Sequence, residues 1–476
     1  MTEKEVLLID QAYNEVKKYR HIVQQDPYRL TYHLMPPVGL LNDPNGLIQI
    51  NGVYHVFYQW NPFQTAHGAK FWGHYTSRDM VNWQEEPIAL APSEWYEKNG
   101  CYSGSAIESD GHLYLFYTGN VKLDDGTRET YQCLAVSADG IHFDKKGPVL
   151  RLPEGYTAHF RDPKVWKRNG RWYMIIGAQT LSERGLVVLF VSDDLYHWQE
   201  LGAVGGSGMN GLGDFGYMWE CPDLIQLNGK EILIVSPQGL EPSGYFYHNI
   251  FQSGYFTGKL DYKAVQFQHG PFTELDRGFD FYAPQTFTDE SGRTLLYGWM
   301  GITDESEPHH PTIGSKWVHA LTIPRELDLR GDHIFQKPVE ELKKLRNEEM
   351  SLESRNHASL DGVGSAEVVI DFQCSVKGTF EADFRHEAVL FYDSLKKEIS
   401  LKRRNVKTGL WEKRICCIDS LEKLHIFIDH SSLEIFINDG QEVFTARYFP
   451  NLDDKEISFD GTAPFSLRKW NLGGVY

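Results

Sequence analysis

The sequence predicts an all-β protein, a five-bladed β-propeller followed by a C-terminal β-sandwich. Three observations lead there. A strand–turn–strand unit recurs five times, as LIQINGVYHVFYQ, IESDGHLYLFYTG, VWKRNGRWYMIIGA, LIQLNGKEILIVSP and TFTDESGRTLLYGW. Its turn glycines, Gly52, Gly111, Gly170, Gly229 and Gly292, are spaced by 59, 59, 59 and 63 residues, the regularity of a radial array of small sheets. From about residue 360 the pattern becomes short period-two runs (EVVIDF, TFEADF, AVLFY, EISL, KLHIFID, LEIFIND, VFTARYF) broken by Gly and Asp turns, which is the pattern of a sandwich.

Residues 1–29 are expected to form a helical extension, because Val6, Ile9, Tyr13, Val16, Tyr19 and Val23 recur at helical spacing among mixed charges. Residues 30–332 hold the five blades. After the second strand come TSRDMVNW (76–83), VSADGIHF (136–143) and VSDDLYHW (191–198), whose shared Ser-x-Asp-x-x-x-Trp/Phe form predicts outer turns of four-stranded blades. Residues 333–350 contain the charged, proline-bearing QKPVEELKKLRNEE and read as a linker with a short helix. Residues 351–476 form the sandwich, expected to pack on the propeller without supplying catalytic residues.

Composition narrows the function. Lys and Arg number 47 against 65 Asp and Glu, a net charge of −18 that opposes nucleic acid and anionic membranes but not a small anionic substrate met by local bases. No apolar run is long enough to span a bilayer. The first residues lack the basic start and unbroken apolar stretch of a secretory leader. The six cysteines are scattered without metal-type spacing, so they are expected to be reduced thiols in a cytoplasmic protein.

Counting back eight or nine residues from the turn glycines reaches Asp43, Ser103, Asp162, Glu220 and Ala283, three of them carboxylic acids. In blades around an axis such positions face one channel. Asp43, in the rigid Asn42-Asp43-Pro44-Asn45-Gly46 turn, is placed to act as nucleophile or base. Asp162 follows Arg161 and is expected to be an ionised carboxylate that binds a substrate hydroxyl. Glu220 lies between Trp219 and Cys221, whose apolar bulk is expected to desolvate it and raise its pKa, as a general acid requires. Asn42, Gln59, Trp60, Trp72, Tyr102, Ser103, Arg161, Tyr282 and Trp299 supply the aromatic and polar surface that binds a sugar. His309-His310 resembles a metal pair, but adjacent side chains point apart and no third ligand is spaced with them.

Taken together these residues resemble glycoside hydrolase family 32, the invertase and fructan hydrolase family. The resemblance runs from His33 to IFIDHSSLEIFINDG (426–440) and rests on NDPNG (42–46), FRDP (160–163) and WECPD (219–223), with WGH, YSGSA, FYAPQ, YGWM and LTIPREL in support. It implies Asp43 as nucleophile, Glu220 as acid/base and Asp162 as the group holding fructosyl hydroxyls, with no metal or organic cofactor. PPVGLLNDPNG, YTAHFRDPKVW and GWMG look most like bacterial members that cleave phosphorylated sucrose. The implied activity is a retaining β-fructofuranosidase acting on sucrose-6-phosphate or sucrose. Intracellular fructan hydrolysis and fructosyl transfer use the same acids and stay as alternatives. The implied partner is a small-molecule fructoside, with neither nucleic acid nor membrane. A phosphate on the leaving glucose would be met by bases among His67, Lys70, Arg128, His159 and Lys316.

Overall fold

Four of the five turn glycines close two-residue hairpins in which both central residues have positive φ: Asn51-Gly52, Asp110-Gly111, Asn169-Gly170 and Asn228-Gly229. This is the turn whose twist matches that of paired strands, and Asn-Gly or Asp-Gly adopts it at least cost. The fifth turn is longer. Thr288 pairs with Thr294, and the Asp289 carboxylate between them accepts from the Ser291 and Arg293 amides at 3.0 and 2.8 Å. That loop accounts for part of the wider last spacing.

The computed structural model describes residues 2–354 and 356–475. Each repeat builds one antiparallel sheet whose main strands follow chain order. Sheet I comprises Gly39–Ile50, Val53–Asn61, Phe71–Ser77 and Trp83–Glu85. Sheet II comprises Cys101–Ser109, His112–Lys122, Arg128–Ser137 and Asp144–Arg151. Sheet III comprises Tyr156–Arg168, Arg171–Thr180, Gly185–Ser192 and Gln199–Gly206. Sheet IV comprises Met218–Leu227, Lys230–Gln238, Gly254–Asp261 and Gln266–Glu274. Sheet V comprises Tyr282–Thr288, Thr294–Met300, Arg325–Arg330 and His333–Pro338.

The first strands of the five sheets touch in a closed cycle, I to II to III to IV to V and back to I. Each neighbouring pair of sheets shares its own apolar cluster. Phe57 and Trp72 meet Leu115 and Tyr117 between I and II; Phe116 and Leu134 meet Met174 and Val188 between II and III. Val187 and Leu189 meet Val235 and Phe256 between III and IV, and Ile232 and Ile234 meet Leu296 and Leu327 between IV and V. Leu295 and Tyr297 join Val56 and Tyr58 between V and I. One segment seals the cycle: Trp317 and Val318 pair with Gly39 and Leu40 of sheet I, while Ala320 and Leu321 pair with Met300 and Trp299 of sheet V.

The Ser-x-Asp turns lie between third and fourth strands. Asp79, Asp139 and Asp194 each accept two backbone amides, at 2.8 to 3.2 Å, so one Asx turn is used three times. The N-terminal helix spans Glu3–Gln24 and is capped by Thr2. It buries Ala12, Val16 and Val23 and packs Ile9 and Tyr19 partly buried against the same core, so the apolar spacing faces inward except at Val6 and Tyr13, which are exposed. The segment 333–350 holds the last strand of sheet V, a 3-10 turn at Glu340–Leu345 and the start of the strand Arg346–Ser354, which pairs into the sandwich.

The C-terminal part is a sandwich of two six-stranded antiparallel sheets around one apolar core that includes Phe380, Leu390, Ile426, Ile435 and Phe459. Its junction with the five sheets is ionic as well as apolar. The buried Arg325 donates to Asp276 (3.0 Å), Gln336 (3.0 Å), Glu434 (2.7 Å) and Thr445 (2.6 Å), while His33 lies between Asp429 and Glu434 at 3.3 and 3.1 Å.

Candidate active site

In every sheet the first strand is irregular near its N-terminal end, away from the turn glycine. Register shifts fall at Leu41/Pro44, Tyr102/Gly104, Arg161–Lys164, Glu220/Asp223 and Tyr282/Gln285. A bulge gives the chain an extra residue and re-aims side chains. Asp162, Cys221 and Ala283 take positive φ there (68, 48 and 48°), a strained setting for residues other than glycine. The bulges correct the expected phase of the repeats. Asp43, Asp162, Cys221 and Ala283 all precede a proline and are equivalent, with Ser103 before Gly104 as the fifth. Glu220 belongs one residue earlier, with Asn42, Tyr102, Arg161 and Tyr282.

Eight of these ten residues, all but Cys221 and Ala283, line one cavity of about 370 Å³. Its wall includes Asn42, Asp43, Tyr102, Ser103, Arg161, Asp162, Glu220 and Tyr282, together with Gln59 and Trp299. Asp43 accepts from the Ser103 hydroxyl at 2.5 Å and the Asn42 amide at 3.0 Å. Burial pushes its pKa up; the Ser103 bond opposes the rise, and the Glu220 charge adds to it. Asp162 accepts the Cys221 amide at 2.9 Å, and the thiol lies 3.6 Å from the same oxygen. Burial pushes Asp162 up to about 7, opposed by Arg161 and reinforced by Glu220 and Asp43. Three acids so close resist carrying three charges together.

Glu220 is clamped on both oxygens. Arg161 donates to Oε1 through Nε (2.8 Å) and Nη2 (2.5 Å), while the Tyr282 hydroxyl (2.6 Å) and Gln238 amide (2.7 Å) donate to Oε2. This corrects two expectations about local environment. Trp219 does not cover Glu220: it stacks on Phe256 with its ring N–H on Phe215 O at 2.7 Å, and the carboxylate is surrounded by donors. Arg161 forms its ion pair with Glu220, leaving the adjacent Asp162 bonded to a backbone amide.

Trp60 and Trp72, expected as sugar contacts, are core residues. Trp60 is on the strand face opposite Gln59 with its ring N–H on Val38 O (2.7 Å), and Trp72 packs between sheets I and II with its N–H on Tyr102 O (3.1 Å). Of the five expected phosphate bases, His67, Lys70 and Arg128 line the cavity. Lys316 lies elsewhere, over the ring of Tyr19. His159 is next to the site, but its Nδ1 faces Arg161 Nη1 at 2.9 Å; burial, then Arg161 and Arg128, push its pKa down to about 4. It is therefore a neutral acceptor. Lys70 is buried, with Nζ 3.2 Å from His67 Nδ1, and burial pushes its pKa down to about 7 against the pull of Asp43 and Glu307.

Gln238, Lys122, Phe251 and Thr303 also line the cavity and were not anticipated. A signal for Gln238 existed: Asn61, Asn120, Gln179 and Gln238 each fall nine residues after a turn glycine, an amide at one repeated phase. Phe251 and Thr303 sit on connections between strands, which carry no such phase.

Clamped carboxyls, amides and aromatic groups around a small cleft are the equipment of an enzyme that breaks a glycosidic bond. The comparisons with known proteins give the family. The model of the glycosyl hydrolases family 32 N-terminal domain matches residues 33–338 and that of the family 32 C-terminal domain matches 337–469, so the chain belongs to glycosyl hydrolase family 32. The sucrose-6-phosphate hydrolase of Bacillus subtilis is 52% identical across 99% of this chain and all of its own. The raffinose invertase of Escherichia coli is 40% identical, with 90% of each chain covered. Among solved structures, the sucrose-6-phosphate hydrolase of Lactobacillus gasseri superposes with a TM-score of 0.90 at 31% identity, covering 98% of this chain and 97% of its own.

Proposed function

We propose that this protein is a retaining β-fructofuranosidase that cleaves the fructosyl bond of sucrose-6-phosphate and, less efficiently, sucrose. The observation that carries the reading is the pairing of Asp43 and Glu220 in one small cavity, with Glu220 fixed on both oxygens. The curated relatives named above support the substrate, and a silkworm β-fructofuranosidase variant solved with sucrose (32% identity, TM-score 0.87, 98% of each chain covered) supports the bond.

In this reading the five sheets are propeller blades, the catalytic unit runs from about residue 30 through the last strand of sheet V at 338 rather than ending at 332, and the site opens at the N-terminal ends of the first strands. Asp43 attacks the anomeric carbon of the fructosyl unit while the Glu220 carboxylic acid gives its proton to the departing glucosyl oxygen. A water then displaces Asp43 from the fructosyl-enzyme, losing its proton to Glu220. Two displacements retain configuration, which calls for the two carboxyls to lie about 5 Å apart. Asp162 holds fructosyl hydroxyls, and its interaction strengthens as positive charge grows on the ring. Asn42 Oδ1, buried without a hydrogen-bond partner among the described residues, is an acceptor that a sugar hydroxyl satisfies. All six cysteines are free, which fits work in the reducing cytoplasm.

The test separates the two acids. Asp43→Asn and Glu220→Gln should each lower kcat/KM on sucrose-6-phosphate by at least about 1,000-fold. A fructosyl donor with a good leaving group needs little protonation, so it should restore cleavage in Glu220→Gln and not in Asp43→Asn. Equal losses on both donors would refute the assignment.

A further inference from the structure

Two cations at the cavity wall stand out because no side chain among the described residues pairs with them. Lys122 ends the second strand of sheet II and Arg128 begins the third; they are direct cross-strand partners at the open end of that hairpin. Both are exposed, both line the cavity that holds Asp43 and Glu220, and neither side chain has a carboxylate or hydrogen-bond partner among the described residues. Arg128 is near enough to Tyr102 and His159 to act on their charge states.

The other cations of the site are engaged. Arg161 is spent on Glu220 and His159. Lys70 is buried beside His67, and His67 itself lies 3.1 Å from Glu307. A chain of net charge −18 that leaves two adjacent cations unpaired beside three acids holds an anion-binding surface against its own long-range field.

We propose that Lys122 and Arg128 form the clamp for the phosphomonoester of the leaving glucosyl unit, a specificity device of the substrate reading above, on which it rests. The guanidinium offers two parallel N–H donors to two phosphate oxygens, and the ammonium adds a point charge from the neighbouring strand. The clamp lies on sheet II, outside the ring of acids. It therefore recognises the part of the substrate that leaves, while the rings formed by Asp43, Asp162 and Glu220 handle the fructosyl unit.

The experiment compares kcat/KM for sucrose-6-phosphate and for sucrose in the wild type, Lys122→Gln, Arg128→Gln and the double variant. Each single substitution is expected to lower the phosphate-to-sucrose ratio by about tenfold and the double by about 100-fold, expressed in KM, as loss of a charge-assisted hydrogen bond predicts. Glucose 6-phosphate should inhibit the wild type and lose about as much affinity in the double variant. A double variant that keeps the wild-type ratio overturns the clamp while leaving the substrate reading intact. A wild type that cleaves both sucroses equally overturns the substrate reading itself. Inorganic phosphate inhibiting as strongly as glucose 6-phosphate assigns the pair to free phosphate and also overturns the proposal.

Discussion

Replacing Ser103 by Ala isolates a single interaction at the proposed nucleophile. The Ser103 hydroxyl donates to Asp43 Oδ2 at 2.5 Å, a short bond to a group that must be ionised to attack. Hydrogen bonds to charged groups contribute about 1.5–3 kcal/mol, and 1.36 kcal/mol corresponds to one pKa unit, so the bond holds the carboxylate down by about one to two units. Asn42 continues to donate at 3.0 Å, and Asp43 faces the cavity, where water can take the place of the lost hydroxyl. The expected net effect is thus at the lower end, about one unit.

The sign follows from which form the bond favours. Ser103 stabilises the ionised carboxylate, so its loss adds to the upward push of burial and of Glu220. The acid limb of kcat/KM against pH reports the free enzyme's essential base and should move up by about one pH unit in Ser103→Ala. Above that limb the rate should fall little, because a more basic carboxylate is also the better nucleophile. The assay is the release of fructose from sucrose at closely spaced pH values, with the Tm of each variant recorded. An acid limb that stays in place or moves down would refute the reasoning, and a uniform loss at every pH would make Ser103 a sugar ligand.

Asp162→Asn should remove nearly all activity yet stabilise the protein at alkaline pH. A carboxyl raised to about 7 by burial opposes folding once it ionises in the unfolded chain, so the gain should grow from about pH 4, level off above about pH 7, and reach about 2–4 kcal/mol by urea denaturation; equal stability at pH 8 would contradict this. Arg325→Ala should cost about 3–5 kcal/mol, because it strands Asp276 and Glu434 without their shared cation, whereas Arg325→Met combined with neutral, size-matched changes at both acids should recover much of it. A loss below about 1 kcal/mol in Arg325→Ala would show that water reaches the junction.

The sequence disclosed the repeats because the turn chemistry is local: Asn-Gly and Asp-Gly dictate the same hairpin wherever they stand. The acids were legible for a related reason, since each lies eight or nine residues before such a turn. Their exact phase was not. A bulge adds a residue without changing the 59-residue period, so Glu220 counted as equivalent to Asp43 although Cys221 holds that place. The environment of Glu220 was misread because sequence neighbours on a strand point to opposite faces, so Trp219 is turned away from the carboxylate. Residue type alone points to Trp60 and Trp72 as sugar platforms, yet a large ring is as useful between sheets, which is where both lie. Lys122 and Thr303 show no pattern in the chain because only the folded hairpin and loop bring them to the cavity.

Among the described residues none from the sandwich lines the cavity, yet the sandwich is not remote from the chemistry. Glu307 accepts from His319 at 2.8 Å and lies 3.1 Å from His67, and these bonds outweigh burial and hold its pKa well below the usual carboxylate range. An ionised Glu307 fixes His67, whose other ring nitrogen meets Lys70, and Lys70 in turn acts on Asp43. The segment that carries Glu307 is gripped by the sandwich on both preceding residues: Lys407 pairs with Glu305 at 2.5 Å, and Asn405 donates to Ser306 at 2.9 Å. The loop between two sandwich strands is therefore linked to the proposed nucleophile in four steps, through the segment that carries Glu307, His67 and Lys70. Removing the sandwich would expose the junction charges and also loosen the support of Lys70, so the two parts are better regarded as one catalytic body than as an enzyme with an appended domain.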